Sequence, residues 1–153
     1  MSVFRKLLSL CVAVLCVMSF TACSQSGSSD SSFPTDYGFS VQLPESVQEN
    51  IRYDLSNREV GDETINTINV VYKGETGEAN ILTFEEMSSA MWEQMQSEGG
   101  PLPTELGASE DGRVVVMYPL QSNPYEAGTA DADAVDQFVS ESSIVTESFQ
   151  FLQ

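Results

Sequence analysis

The chain divides into three stretches by its hydrophobic pattern. Leu7 to Phe20 is an apolar run broken only by Ser9 and Ser19. Ser24 to Ser32 reads Ser-Gln-Ser-Gly-Ser-Ser-Asp-Ser-Ser and holds nothing apolar to bury, so disorder is expected there. From Phe33 onward, short periodic runs alternate with turn residues, and about 120 residues suffice for a proper core.

Within that last stretch the period changes along the chain. Gly38 to Leu43 places Phe39, Val41 and Leu43 on one face and stops at Pro44, which predicts a strand. Ile51 to Leu55 alternates likewise, and Ser56 to Glu63 reads as a polar loop. The β-branched run Ile65–Tyr72, the turn Gly74–Glu78 and the run Ala79–Phe84 predict a hairpin. Met87, Met91 and Met95 recur at helical spacing, with Trp92 beside Met95; Ser88 or Ser89 supplies a cap and Gly99-Gly100-Pro101 a stop. Asp111-Gly112 between Thr104–Ala108 and Arg113–Leu120 predicts a second hairpin. Val114 to Tyr118 is apolar on both faces, as a central strand would be. Thr129 caps a helix that carries Asp131 and Asp133 in its first turn and Val135, Phe138, Val139, Ser142 and Val145 at helical spacing. Ser148 to Phe151 closes the chain as a last helical turn or a short strand. The expected class is α+β: an antiparallel sheet with about two packed helices.

The first stretch then acquires a meaning. Arg5-Lys6, the apolar run and small residues before Cys23 have the layout of a secretory signal. Thr21-Ala22-Cys23 resembles the lipobox of bacterial lipoproteins, with Phe20 where Leu is usual. That resemblance implies diacylglyceryl attachment to the Cys23 thiol and cleavage that leaves Cys23 as the new N-terminus. Leu7 to Ala22 is shorter than the ~20 residues of a spanning helix. A plain membrane anchor and an ordinary secretory signal are the alternatives. The expected organisation is a signal peptide over 1–22, a lipidated, Ser-rich tether over 23–36 and one domain over 37–153.

Processing changes the charge and the cysteine count. The whole chain of 153 residues has 6 Lys+Arg, 23 Asp+Glu, no His and a net charge of -17. Cys11 and Cys16 would leave with the signal, so the mature domain has no disulfide to rely on. Arg5 and Lys6 would leave too, so four basic groups face 23 acids at -19. Such acidity argues against a nucleic-acid partner. The missing histidine removes Ser-His-Asp, Cys-His and His-ligated metal arrangements. A nine-residue Ser/Gly tether would hold the domain roughly 15–18 Å from the lipid. Anionic headgroups would repel the acidic surface rather than bind it.

A further resemblance covers Tyr37 to Phe151. The opening Tyr37-Gly38-Phe39-Ser40-Val41-Gln42-Leu43-Pro44, the strand series, the late helix and the closing Ser148-Phe149-Gln150-Phe151 together resemble the PsbP-like α/β/α sandwich. Domains of that family often carry Trp soon after the Pro, where Val47 stands nearby in this chain. The resemblance implies a binding or assembly domain more than an enzyme, and it transfers no functional residue.

Candidate chemistry is sparse. With 23 acids a glycosidase pair can always be imagined, so the count alone carries no information. Asp131, Asp133 and Asp136 lack the EF-hand glycine at the sixth position, and Glu59 to Glu63 has no recognised ligand spacing. Trp92 with the Met stripe reads as core or as an adaptable apolar contact surface. Tyr125, in Asn123-Pro124-Tyr125-Glu126, reads as an ordinary turn residue or as an exposed contact. The expected function is a non-enzymatic interaction or assembly module, lipid-anchored through Cys23 on the extracytoplasmic face. Trp92 and Tyr125 are its candidate partner contacts, an envelope protein is the expected partner, and no cofactor is expected. Ser24 after the lipid-bearing cysteine suits outer-membrane delivery in a cell with two membranes. The alternative is a small-ligand- or cation-binding lipoprotein with weak Ca²⁺ affinity in its acidic loops. An acid-based hydrolase is the third reading.

Overall fold

A computed structural model describes residues 32–153; the expected signal, Cys23 and most of the expected tether lie outside the described residues. The fold is α+β. Its main sheet is antiparallel and built from β2 (Ile51–Val60), β3 (Glu63–Gly74), β4 (Gly77–Ser88), β5 (Thr104–Ala108) and β6 (Arg113–Pro119), in the order β2-β3-β4-β6-β5. A small second sheet pairs β1 (Phe39–Ser40) with β7 (Gln150–Phe151), so the two ends of the packed chain meet. Among the described residues four helices complete it: α1 (Glu45–Gln48), α2 (Ser89–Glu98), α3 (Ala130–Glu141) and α4 (Ser143–Ser148).

Strand alternation sorts the apolar side chains onto two faces. On one face Ile68, Val70 and Tyr72 of β3, Leu82 and Phe84 of β4, and Val115 and Met117 of β6 form the main core with Phe39, Val47, Val135, Phe138 and Val145. The other face holds a smaller cluster: Ile65, Met87, Val114 and Val116 under Met91 and Trp92 of α2. Helices thus lie on both sides of the sheet. The order places β6 between β4 and β5, as the two-sided apolar run Val114–Tyr118 requires.

Several local expectations are corrected. The stretch Ser56 to Glu63 is not a loop: β2 and β3 pair without interruption from Ile51↔Tyr72 to Val60↔Glu63 around Gly61, whose φ is +66°. The β2 side chains from Ser56 to Val60 are all exposed, so no hydrophobic period marks that half of the hairpin, although Ile65 opposite Arg58 is buried under α2. Met87 does not belong to the helical stripe. It is the penultimate residue of β4, paired with Val114, and Ser88 Oγ caps α2 by accepting from the Met91 N–H at 3.1 Å. Strand and helix are contiguous, which is why Met87 and Met91 still share one cluster. The Phe39-to-Leu43 run pairs only over Phe39–Ser40, although Val41 and Leu43 are buried. Of the two alternatives for the closing residues, the short strand forms over Gln150–Phe151, while Ser148 ends α4. Packing begins at Phe33, whose ring sits 5.4 Å from Phe84 and 5.5 Å from Tyr53, both edge-on.

Candidate functional site

Among the described residues three carboxylates are buried: Glu85, Glu86 and Asp131. Each needs a partner to offset its lost hydration. Asp131, in the first turn of α3, accepts from the Glu75 N–H at 2.8 Å and from the Tyr72 hydroxyl at 3.4 Å, tying the helix to the β3–β4 turn. Burial first, and the neighbouring Asp131 next, hold the Tyr72 phenol above its ordinary pKa. Glu86 lies on the main-core face and accepts from Asn66 Nδ2 at 2.7 Å. Glu85 lies on the opposite face. It accepts from Arg58 Nη2 at 3.1 and 3.3 Å and from the Tyr118 hydroxyl at 3.1 Å. Burial, and then the adjacent Glu85 charge, push the Tyr118 phenol up to about 12. Glu85 and Glu86 are neighbours in sequence but point to opposite sides of the sheet, so they cannot flank one bond as a carboxylate pair.

The Glu85 face is covered at one end only. Beyond the apolar patch under α2, the register aligns Asp54, Asn69, Thr83 and Tyr118 in one row across four strands, and Ser56, Thr67, Glu85 and Val116 in the next. A bulge in β4 shapes this surface. Val70 pairs with Leu82 but Val71 pairs with Asn80, so Ile81 is the extra residue. Ile81 and Leu82 both turn into the main core. Asn80 and Thr83, three apart, thereby share the open face, and Asn80 Nδ2 donates to Thr83 Oγ1 at 2.8 Å. Asn69 Oδ1 accepts from Thr83 Oγ1 at 2.8 Å and from Asn80 Nδ2 at 3.2 Å. Unbulged pairing would have aimed Asn80 into the core.

Two hollows adjoin this network and share Tyr118, Pro119 and Gln121 as a common wall. One, of about 310 Å³, is lined further by Asn80, Ile81, Leu82 and Thr83. The other, of about 510 Å³, is lined by Pro101, Leu102, Pro103 and Thr104. Leu102 is among the exposed large apolar residues. The result is a trough with an apolar Pro-Leu-Pro lip, an aromatic wall and a floor of amides and hydroxyls.

The contacts suggested by the sequence lie elsewhere. Trp92 is 7% exposed, packed in the cluster under α2, and its Nε1–H donates to Glu105 Oε2 at 2.8 Å. Tyr125 is half-buried; its hydroxyl donates to the Gly77 carbonyl at 2.9 Å, and its ring meets Tyr72 edge-on at 5.7 Å. It braces the 123–128 loop against the β3–β4 turn. Of the acidic stretches, Glu59 accepts from the Thr64 hydroxyl. Among the described residues, no group of three or more Asp, Glu, His or Cys is placed to hold a metal ion. Also among them, no helix is long and apolar enough to cross a membrane.

Sequence reasoning missed the Asn69, Asn80, Thr83, Glu85 and Tyr118 surface. One signal was present: Thr67 and Asn69, two apart, interrupt the apolar run of β3, as a sheet with one face partly uncovered requires. No family model, curated protein or solved structure matches the chain.

Proposed function

We propose that this is a lipid-anchored, extracytoplasmic, non-enzymatic binding module that engages an envelope component through the open half of its sheet. The observation that carries the reading is the pre-ordered Asn69–Asn80–Thr83 network beside the Tyr118 trough. A concave site with an apolar wall and a few oriented polar groups is the usual form of a binding site. The anchor at Cys23 rests on the lipobox-like Thr21-Ala22-Cys23. Helices on both faces of an antiparallel sheet support the PsbP-like resemblance. No observation favours the cation alternative: Asp131 is turned inward and Glu59 is engaged by Thr64.

Two measurements test this. Cys23→Ala should release the protein from the membrane fraction; unchanged membrane association would sink the anchor. A photoreactive residue at position 83 should give a discrete adduct in intact cells, whereas one at the exposed Val139, on α3, should not. Identical adduct patterns from the two positions would refute the assignment of the binding face.

A further inference from the structure

We infer that the ligand of this face is an extended glycan without negative charge. The inference rests on the binding reading above and names its ligand class. Between residues 32 and 153 there are four basic groups against 22 acids. The two guanidiniums on this face are already engaged, Arg52 by Asp54 and Glu78 and Arg58 by Glu85. Lys73, opposite Glu78 at the far end of the face, is the one basic group there without an ion pair, so a phosphate or carboxylate ligand along the Asn69–Thr83–Tyr118 row would meet net repulsion. A peptide added as a strand is also poorly served. The Asn69 and Thr83 backbones belong to β3 and β4, which are paired on both sides, so they offer no free ladder edge.

What the face does offer suits hydroxyl groups. The internal network occupies the Asn69 carbonyl and both N–H groups of the Asn80 amide, which leaves the Asn69 N–H groups and the Asn80 carbonyl as donor and acceptor for a ligand. Thr67 and Ser56 add hydroxyls in the adjoining row. These side chains are short, so little rotamer freedom is lost on binding. Neighbouring strands lie about 4.8 Å apart, close to the advance per sugar of an extended hexose chain. A strand of sugars crossing β3, β4 and β6 would thus meet a polar group at each step. The Tyr118 ring and the Pro101–Pro103 lip would receive the apolar C–H faces of the sugar rings.

The test uses the full chain in a detergent without a sugar headgroup. Calorimetric titrations employ chitotetraose in N-acetylated form, cellotetraose, polygalacturonate and a polyproline peptide. At least one of the two neutral oligosaccharides should saturate, and polygalacturonate should not compete. Asn80→Ala should weaken binding ~3–10-fold, the effect of one lost hydrogen bond, and Thr83→Val, which releases the two amides that its hydroxyl orients, should weaken it too. Thr83→Val keeps the side-chain shape and β-branching, so unchanged melting of that variant separates lost contact from lost fold. Failure of both neutral oligosaccharides to saturate at tens of millimolar would overturn the inference, as would binding that both variants leave intact. Binding of polyproline alone would overturn the ligand class yet leave the binding face standing. Loss of the position-83 adduct in cells would instead strike the face itself.

Discussion

Replacing Glu85 by Gln keeps the side chain's shape and removes its charge, which isolates what that charge does on the open face. The side chain is 10% exposed and has two partners. Arg58 lies at 3.1 Å, but its side chain is 51% exposed. That pair is worth only ~0–1 kcal/mol and weakens with salt. The Tyr118 hydroxyl donates at 3.1 Å. A hydrogen bond to a charged acceptor contributes ~1.5–3 kcal/mol, against ~0.5–1.5 for a neutral one, so Gln forfeits about 1 kcal/mol there. Relief of a buried charge offsets part of the total. The net expectation is a loss of about 1 kcal/mol, seen as a melting temperature lower by roughly 3–6 °C. A double-mutant cycle with Tyr118→Phe should show a coupling of about 1 kcal/mol. Alkaline titration gives an independent reading. Tyr118 is pushed up to about 12 by burial first and Glu85 second, so in Glu85→Gln its phenol should titrate lower while staying above 10. Additivity of the two substitutions within ~0.3 kcal/mol, or an unmoved Tyr118 titration, would refute the argument.

Three further outcomes are expected. A Cβ at Gly74 would stand 2.7 Å from both Asp131 Oδ2 and Tyr125 Cε1; Gly74→Ala should lower stability by ~1–3 kcal/mol in denaturant titrations, and an unchanged midpoint would show the brace to be slack. Phe33→Ala should cost about 2 kcal/mol, below the ~3–5 of a fully buried Phe because Phe33 is only half-buried; a neutral result would return Phe33 to the tether. Tyr53 and Tyr118 are both held at about 12 against an ordinary 10.0. The folded state therefore keeps their protons longer, and the resulting stability is full below pH 10 and lost as pH rises to 12. Thermal melts across that window should fall, and a flat profile would contradict the burial of the two phenols.

Much of the fold could be read where apolar period and turn chemistry agree. The β3–β4 hairpin, the Asp111-Gly112 hairpin and the Thr129 cap of α3 each combine a local signal with the burial that rewards it. The reading failed where backbone pairing continues without burial. The outer β2–β3 hairpin keeps its register through Asn57↔Asn66 and Glu59↔Thr64, yet its β2 side chains carry no hydrophobic pattern. It failed again at Met87, because a strand running directly into a helix lets one apolar residue fit both periods.

The sequence by itself carried the α+β class, the strong acidity, the absence of histidine and the polar Ser-rich stretch after Cys23. These are local or compositional properties, and no contact between distant residues is needed to read them. Tertiary structure alone decided which side chains share a face. Asn69, Thr83 and Tyr118 are 14 and 35 residues apart along the chain and become neighbours only through strand register. The one-residue bulge at Ile81 then turns Asn80 toward them. A strand's period is two, so a single inserted residue exchanges its faces, and only the pairing partner reveals where that insertion falls.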